Sequence, residues 1–271
     1  MRVLYIGEIV GTSGVFCIKT LLADIVKDRH IDFVLGGGDG ATGGYGTGKN
    51  HSVYLHKLGI DVLLGGECIY YKRDMVPHIA KASYILRPAN YPPENPGRGV
   101  ATYDTEAGDL AIIVLLGQAG FDRVHLQNPF SLLPKLVERV SPRTRRIVVD
   151  FHANTTAEKH AMFAHADGMV SAVIGTHTKV ATSDERIMPR GTAVITDVGR
   201  TGSLDSVGGL VPSIEIGKFL TQIPERSKES WKRLELQAII LDIDDDGHAT
   251  HIERLRVPVP GDAYDPNRNG T

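Results

Sequence analysis

Apolar residues in the first half of the chain form short runs that alternate with longer amphipathic segments. The short runs are rich in Val, Ile and Leu, which is typical of buried β-strands. Between them, apolar positions recur with helical spacing. The pattern predicts strand Val3–Ile6, helix Val15–Val26, strand Phe33–Leu35, helix His51–Leu58, strand Val62–Leu64, helix Lys72–Ala80 and strand Tyr84–Leu86.

The second half continues the alternation and then changes to strands alone. The predicted elements are strand Ala111–Leu116, helix Leu132–Val140, strand Arg146–Val149, helix Thr156–His165, strand Ala172–Ile174 and then strands Ala193–Thr196, Leu236–Ile243 and His251–Val257. The acidic turn Asp244–Gly247 predicts that the last two strands form a hairpin. Alternation with short connections predicts an α/β fold, in which helices pack on the faces of a layered sheet.

A chain of 271 residues is long enough for one large domain, which we expect over residues 1–260, followed by a flexible tail at 261–271. Segment Arg87–Gly99 carries four prolines and is therefore not expected to form a regular element. We expect a small cap or lid within residues 69–130, with the irregular stretch Gly117–Phe130 as its strongest candidate.

Composition narrows the class of protein. The formal net charge of −2 gives no strong nucleic-acid signature, and no apolar run is long enough to span a membrane. The two cysteines, Cys17 and Cys68, have unrelated sequence surroundings, so a structural disulfide is not expected. We therefore expect a cytoplasmic protein, and a homo-oligomer is compatible with the sequence.

Five residues with metal-binding side chains follow predicted strands. Glu8, Asp39 and Glu67 occur in YIGEIVG, VLGGGDG and VLLGGEC, and His152 and His177 occur in VVDFHANTT and VIGTHTKVATSD. Strand ends are where α/β folds collect functional groups. Three carboxylates brought together without a cation would repel one another. The sequence therefore predicts a metal site at these strand ends.

The motifs also resemble a known family. The phrases YIGEIVG, RPANYP, DFHANTTAEK, GTHTKV and ITDVGRTGSLDSVGG match, in order and spacing, the YmdB-like family of calcineurin-type metallophosphoesterases over roughly Arg2–Val257. The resemblance implies a β-sandwich of two sheets flanked by helices, with a small cap. It also implies two metal ions, typically iron or manganese, and hydrolysis of phosphodiesters including cyclic nucleotides.

The resemblance carries over unevenly to individual residues. His152 and His177 stand at metal-binding histidines of the family. Glu8 stands at the position of an aspartate, and Asp39 stands at that of the glutamate that bridges both metals. The departures are Gly40 and Glu67 at two asparagine ligands, Lys179 at a histidine ligand and Cys68 at the histidine regarded as the proton donor.

These departures affect the two metal positions differently. Asp39, Glu67, His152 and His177 remain as a shell for one Zn²⁺, Mn²⁺ or Fe²⁺ ion. The other position loses its side chain at Gly40, and a protonated Lys179 has no lone pair to offer a metal. The sequence thus predicts one divalent metal ion (Fe, Mn or Zn) rather than two, with the Lys179 ammonium in the vacated space, paired with Glu8 and Asp39.

Cys68 bears on catalysis separately. General acid catalysis contributes about 10²–10⁴-fold to typical reactions, and a thiol is a poor proton donor at neutral pH. Two further interpretations of Cys68 stay open, namely a soft metal ligand or nucleophile and an inert packed residue.

Structural roles remain as alternatives for the other residues too. Glu8 could cap a helix, Asp39 could be a turn residue, the two histidines could be hydrogen-bonded core residues, and Lys179 could point into solvent.

Three functions follow. The first is a metal-dependent phosphodiesterase or phosphatase that acts on a small phosphate-ester or nucleotide ligand. The second is a catalytically weak relative that binds a ligand or partner through the old cleft. The third is a metal enzyme, such as a redox enzyme, that does not act on phosphate esters.

Overall fold

The structure is a computed structural model that describes residues 1–121 and 126–261. The strands of the first half are β1 (Arg2–Ile6), β2 (Glu8–Ile9), β3 (Phe33–Gly37), β4 (Val62–Leu64), β5 (Ile85–Leu86), β6 (Val100–Tyr103) and β7 (Leu110–Leu116). Those of the second half are β8 (Ile147–His152), β9 (Ala172–Thr176), β10 (Arg186–Ile187), β11 (Ala193–Ile195), β12 (Arg200–Ser203), β13 (Leu234–Ile243) and β14 (Ala249–Pro258). The helices are α1 (Gly11–Asp28), α2 (Lys49–Lys57), α3 (Met75–Ile79), α4 (Pro129–Val140), α5 (Thr156–Ala166) and α6 (Pro212–Thr221).

The strands form two sheets. The first has the order β2-β12-β13-β1-β3-β4-β5, with β14 paired to β13, and the second has the order β10-β11-β9-β8-β7-β6. Strands β1, β3, β4 and β5 are parallel neighbours, as are β7, β8, β9 and β11. Parallel neighbours place their carboxyl ends at one edge of each sheet, where the predicted site residues follow them.

The core between the sheets is explained by strand alternation. In β1, Val3 and Tyr5 face the second sheet, whereas Leu4 and Ile6 pack with residues of α1 on the outer face. The second sheet repeats the arrangement, since Val148 lies in the inter-sheet core while Ile147 and Val149 pack in the cluster that contains residues of α4 and α5. The parallel strands of both sheets are therefore buried on two faces, which explains their continuous apolar runs.

The predicted pattern of elements is confirmed with shifts of a few residues at the ends. Every predicted strand and helix has a counterpart, including the antiparallel hairpin of β13 and β14. Helix α3 is shorter than predicted. The sequence pattern did not predict the short strands β2, β6, β10 and β12, because elements of two to four residues carry too little periodicity to detect. Helix α6, of ten residues, was also missed.

The range in which a cap was expected also contains strands of the two sheets. Strands β5, β6 and β7 fall within 69–130 and pair in the sheets, and the cap remains a prediction for the irregular residues between them. Residues 122–125 of its candidate segment, and 262–271 of the predicted tail, lie outside the described residues. Among the helices of the described chain, none has the length and apolarity needed to cross a membrane.

Candidate metal centre

Three of the predicted ligands converge where the two sheets meet. Glu67, in the loop after β4, places Oε2 2.5 Å from Nε2 of His152, the last residue of β8. His177, which follows β9, places Nδ1 3.1 Å from the same nitrogen and 3.4 Å from Oε1 of Glu67. Ligand atoms of this trio all lie within 4.8 Å of one another. The grouping has the donor types that Zn²⁺, Mn²⁺ and Fe²⁺ bind.

Asp39 fixes the loop that carries Glu67. Its Oδ1 accepts a hydrogen bond from the backbone N–H of Gly66 at 2.7 Å, and its Oδ2 accepts one from Cys68 at 3.0 Å. Its Oδ2 also lies 3.9 Å from Nε2 of His152. Gly66 is required here, since a Cβ at this position would lie 2.4 Å from that nitrogen. Asp39 is thus more than a turn residue, because it connects the β3 and β4 ends of the site.

A buried relay orients the His152 ring. The Thr176 hydroxyl donates to Oδ1 of Asp150 at 2.8 Å and lies 3.0 Å from Nδ1 of His152. Since that hydroxyl proton is directed at Asp150, the threonine oxygen is left to accept from Nδ1–H. The other ring nitrogen, Nε2, then faces Glu67 and would coordinate a cation once the cation displaces its proton. The sequence reasoning missed Asp150 and Thr176, although both directly flank the predicted ligands.

A fully buried ion pair supports the loop that carries His177. Nζ of Lys159 lies 3.0 Å from Oδ2 of Asp197, and both side chains are completely inaccessible. The same oxygen accepts hydrogen bonds from the backbone N–H and the hydroxyl of Thr178 at 2.9 and 2.7 Å. His177 itself has a φ of 95°, an uncommon backbone conformation that surrounding contacts must hold. Lys159 and Asp197 lie within the family phrases, but nothing in the sequence showed that they pair.

Lys179 lies on the other side of the centre. Its Nζ is 2.9 Å from Oε1 of Glu8, and its side chain is 21% exposed. The guanidinium of Arg200 donates to the Lys179 carbonyl at 2.8 Å and so holds the loop in place. The expected pair with Glu8 is present, whereas no ion pair with Asp39 forms within the described chain. The lysine points inward rather than into solvent.

The Glu8 carboxylate occupies the space that a side chain at position 40 would need. A Cβ on Gly40 would lie 2.6 Å from Oε1 of Glu8, the oxygen that contacts Lys179. The missing side chain at 40 therefore makes room for the longer acid at 8. Glu8 does not cap α1, because Oε2 of Glu229 accepts the hydrogen bond from the Thr12 N–H at 2.7 Å.

The pKa shifts differ between the side of the centre that carries His152 and the side that carries Lys179. Burial lowers the pKa of His152, but the Glu67 carboxylate outweighs it, and the net pKa is raised to about 10. Burial raises the pKa of Asp39 to about 7, and the Glu67 charge adds to the increase. For Lys179, burial lowers the pKa, but the Glu8 carboxylate outweighs it and keeps the amine charged. Without a metal, protons and the lysine provide the positive charge that these carboxylates need.

Cys68 is buried, and its sulfur lies within 4.8 Å of ligand atoms of Asp39 and Glu67. Burial and the Asp39 charge both raise the pKa of the thiol well above its usual range. The group is thus a neutral thiol in this state, and a poor proton donor. Phe121 covers the cluster from the predicted cap segment, with its ring 5.0 Å from that of His177.

The residues fit one metal position of the pair and not the other. Glu67, His152 and His177, with Asp39 close by, bring together donor atoms that a single cation would bind in place of the protons they share. At the other position, Glu8 is already bound by an ammonium group, and position 40 has no side chain. A cation there would have to displace Lys179 and would find no replacement ligand from Gly40.

Two packed sheets flanked by helices, with histidine and carboxylate side chains grouped at their strand ends, are typical of metallophosphoesterases. The family model described as YmdB-like protein matches residues 4–255. The chain belongs to this family, as its motifs had indicated.

Similar proteins agree with that assignment. The chain is 35% identical to a 2′,3′-cyclic-nucleotide 2′-phosphodiesterase of Bacillus subtilis over 260 residues, which covers 95% of this chain and 97% of the relative. The crystal structure of a hypothetical protein from Thermus thermophilus has a TM-score of 0.89 at 30% identity, covering 96% of this chain and 100% of the other. A novel phosphatase from Mycoplasma pneumoniae has a TM-score of 0.89 at 27% identity, covering 98% and 95%. The predicted two-sheet metallophosphoesterase fold is therefore confirmed.

Proposed function

We propose that this chain is a metal-dependent phosphodiesterase that hydrolyses nucleotide-type phosphate esters with a single divalent ion. The observation that carries the proposal is the convergence of Glu67, His152 and His177 within 4.8 Å. The similar Bacillus subtilis protein bears the name of a cyclic-nucleotide phosphodiesterase, which supports the substrate class. Fe, Mn or Zn would suit these donors.

Asp39, Glu67, His152 and His177 would hold the ion, which supplies Lewis acidity toward a phosphate oxygen and toward water. His152 is prepared for this role because the Thr176 contact at 3.0 Å fixes its ring. Lys179 supplies a fixed positive charge beside the ion, where the family has a second metal. Phe121 shields one side of the cluster from water.

Charge balance supports a single ion. Glu8, Asp39 and Glu67 provide three negative charges, which the Lys179 ammonium and one divalent ion would neutralise. The two-metal centre of the family has an excess of positive charge for an anionic phosphate. We therefore expect weaker phosphate binding here, because a bound ion's charge dominates its local field.

The thiol of Cys68 leads to a specific prediction about substrates. A thiol with a raised pKa gives little help to a departing alkoxide, so esters with good leaving groups should suffer least. Hydrolysis of bis-p-nitrophenyl phosphate should therefore be retained better than that of 2′,3′-cyclic AMP. Cys68→His should raise the rate for the cyclic nucleotide by about tenfold or more and should change the nitrophenyl ester less.

The test is hydrolysis of both esters by metal-reconstituted protein. Activity that disappears in His152→Ala supports the proposal. A second candidate, a weak relative that only binds a ligand through the cleft, is favoured by the departures at Gly40, Cys68 and Lys179. Metal-loaded protein that binds the cyclic nucleotide but hydrolyses neither ester would select that candidate.

A small phosphate ester or nucleotide is the expected ligand under either candidate. We also infer a cytoplasmic location, because both Cys17 and Cys68 are free thiols and a disulfide-forming compartment is not needed. A homo-oligomer remains a prediction, which size-exclusion chromatography with light scattering tests.

A further inference from the structure

A groove of about 830 Å³ lies beside the candidate metal centre and is lined by none of the five predicted ligands. Its volume is near the upper end of small-ligand pockets, which are about 300–1,000 Å³. The residues that give it chemical character are four cations and two aromatic rings, namely Lys72, Lys218, Arg226, Lys228, Tyr45 and Trp231. Neither the fold nor the proposed hydrolysis at the metal centre accounts for this combination.

The groove carries surplus positive charge. Lys218 is neutralised by Glu215 at 3.0 Å, and Glu229 accepts from the Thr12 N–H. Lys72, Arg226 and Lys228 form no ion pair within the described residues, and these three cations outnumber the two carboxylates of the lining, Glu225 and Glu229. The whole chain has a formal net charge of −2, so this is a local concentration of cations. Such a surface attracts phosphate groups.

The aromatic residues suit bases. Tyr45 is 43% exposed, although it is a large, partly apolar side chain. Trp231 is supported from behind by Phe16, with ring centroids 5.8 Å apart. Cations that follow a backbone, combined with aromatic faces on which bases stack, are typical of single-stranded nucleic-acid sites.

Two segments connect the groove to the metal centre. The loop that begins at Asp39 leads to Tyr45, and the turn that begins at Cys68 leads to Lys72, with the Tyr71 N–H bound to the Cys68 carbonyl at 2.9 Å. Gly43, Tyr45 and Lys72 therefore lie on segments that start at residues of the centre, while residues 218–231 supply most of the remaining lining.

We propose that this groove binds the adjoining nucleotides of a short single-stranded oligonucleotide whose phosphodiester is presented to the metal centre. The inference rests on the proposed function for the reaction and names the substrate class more narrowly, as an oligonucleotide rather than a free mononucleotide. The unpaired cations contact its phosphates, and Tyr45 and Trp231 stack on its bases.

The direct test is binding, which needs no turnover. A fluorescein-labelled pentanucleotide with a non-hydrolysable backbone is titrated with metal-loaded protein, and anisotropy is measured at several salt concentrations. The double variant Arg226→Glu/Lys228→Glu should weaken binding by at least about tenfold, and the dependence of log Kd on log salt should become shallower by about two. Tyr45→Ala should weaken binding severalfold with little change in that slope.

The matched control is Lys135→Glu/Arg139→Glu, which reverses two charges on α4 outside the groove. It should leave pentanucleotide binding close to that of the wild type. Equal losses in both double variants would overturn the proposal, since they would show that only overall charge matters. The proposal would also be overturned if the pentanucleotide bound no more tightly than AMP. The same holds if AMP displaced the labelled pentanucleotide at the concentration that the unlabelled pentanucleotide requires.

Hydrolysis separates this inference from the proposed function. For an oligonucleotide that ends in a 2′,3′-cyclic phosphate, the groove variant should raise KM more than it does for bis-p-nitrophenyl phosphate. If the groove variant binds and cleaves the oligonucleotide as the wild type does, the groove proposal fails while the hydrolase proposal stands. If the groove binds the pentanucleotide as described but no ester is hydrolysed, the proposed function fails instead.

Discussion

The buried carboxylates on the two sides of the candidate centre are provided with positive charge in different ways. On one side, Glu67, His152 and His177 place their donor atoms within 4.8 Å of one another, a grouping that a divalent cation would bind. On the other side, Lys179 places its own cation 2.9 Å from Glu8. Buried carboxylates need positive charge nearby. A side chain can supply that charge without binding any ion, but it cannot offer a free coordination position to a substrate.

The comparison also shows that substitutions at a site act as a set. Glu8 is longer than the family's aspartate, and Gly40 provides the space for it. Lys179 then pairs with the repositioned carboxylate. Glu8 beside a side chain at position 40 would meet a steric conflict, and Lys179 without Glu8 would lack its partner, whereas the three residues together accommodate a closed ion pair.

The buried support of the metal-binding side should be the most sensitive point. Lys159→Met leaves the Asp197 carboxylate buried without its cation, so we expect a loss of about 3–5 kcal/mol in the free energy of unfolding. Urea denaturation measures it. Adding Asp197→Asn should recover part of the loss. Arg233→Met, which breaks an exposed pair with Asp205, should change the free energy of unfolding far less. Equal losses in the two single variants would contradict the account.

Removing a ligand should abolish the metal site while sparing the fold. His152→Ala is expected to lower the affinity for Mn²⁺ or Zn²⁺ by more than about 100-fold, because even residues that only orient ligands contribute about 10–100-fold. Isothermal titration calorimetry measures it. His251→Ala, on an exposed strand of the first sheet, is the control. Unchanged affinity in His152→Ala would show that the metal ion binds at other residues.

Breaking the ion pair on the other side should affect stability more than metal binding. Lys179→Met leaves Glu8 buried and unpaired, and we expect a loss of about 2 kcal/mol, since partial exposure of the lysine reduces the penalty. Thermal or urea unfolding of metal-free protein measures it, with Lys179→Met/Glu8→Gln as the recovering variant. A full recovery would show that the unpaired charge causes the loss. Unchanged stability in Lys179→Met would contradict the pairing.

Filling position 40 should displace the Glu8 carboxylate. Gly40→Asn introduces a Cβ 2.6 Å from Oε1 of Glu8, so the side chains must shift. We expect a loss of about 1–2 kcal/mol, which Gly40→Asn/Glu8→Asp should recover because the shorter acid frees space. Unfolding curves of the single and double variants measure it. Additive losses would mean that the two positions do not share the space.

The smallest predicted effect is on pH dependence. In the metal-free chain, the pKa of His152 is raised to about 10 and that of Asp39 to about 7, so both bind protons that a metal must displace. Metal affinity should therefore increase as pH rises from about 6 to 8. The Tm increase caused by Mn²⁺ should grow over that interval. A Tm increase that shrinks as pH rises would contradict the competition between protons and the metal ion.

Much of the fold was predictable from local pattern. Strand β1 and helix α1 follow directly from their periodicity, and the strand-end positions of Asp39 and His177 followed from the elements before them. The groove beside the centre was not predictable, because Tyr45, Lys72 and Trp231 come together only through the tertiary fold. The Lys159–Asp197 pair escaped prediction for the same reason, since 38 residues separate its partners.

The site itself was predicted in composition but not in detail. The residues after the strands identified Glu67, His152 and His177 as candidates, and the structure groups them. The Lys179 contact with Glu8 agrees with the expected charge replacement, but the contact with Asp39 does not occur. Whether these residues bind metal and turn over substrate stays a prediction.

The central claim is that the Lys179 ammonium takes the place of a second metal ion. The most direct measurement is metal content per chain by elemental mass spectrometry, after reconstitution with excess Mn²⁺ and removal of free ion. The account predicts one equivalent for the wild type and two for the variant Glu8→Asp/Gly40→Asn/Lys179→His. Two equivalents bound by the wild-type chain would contradict it.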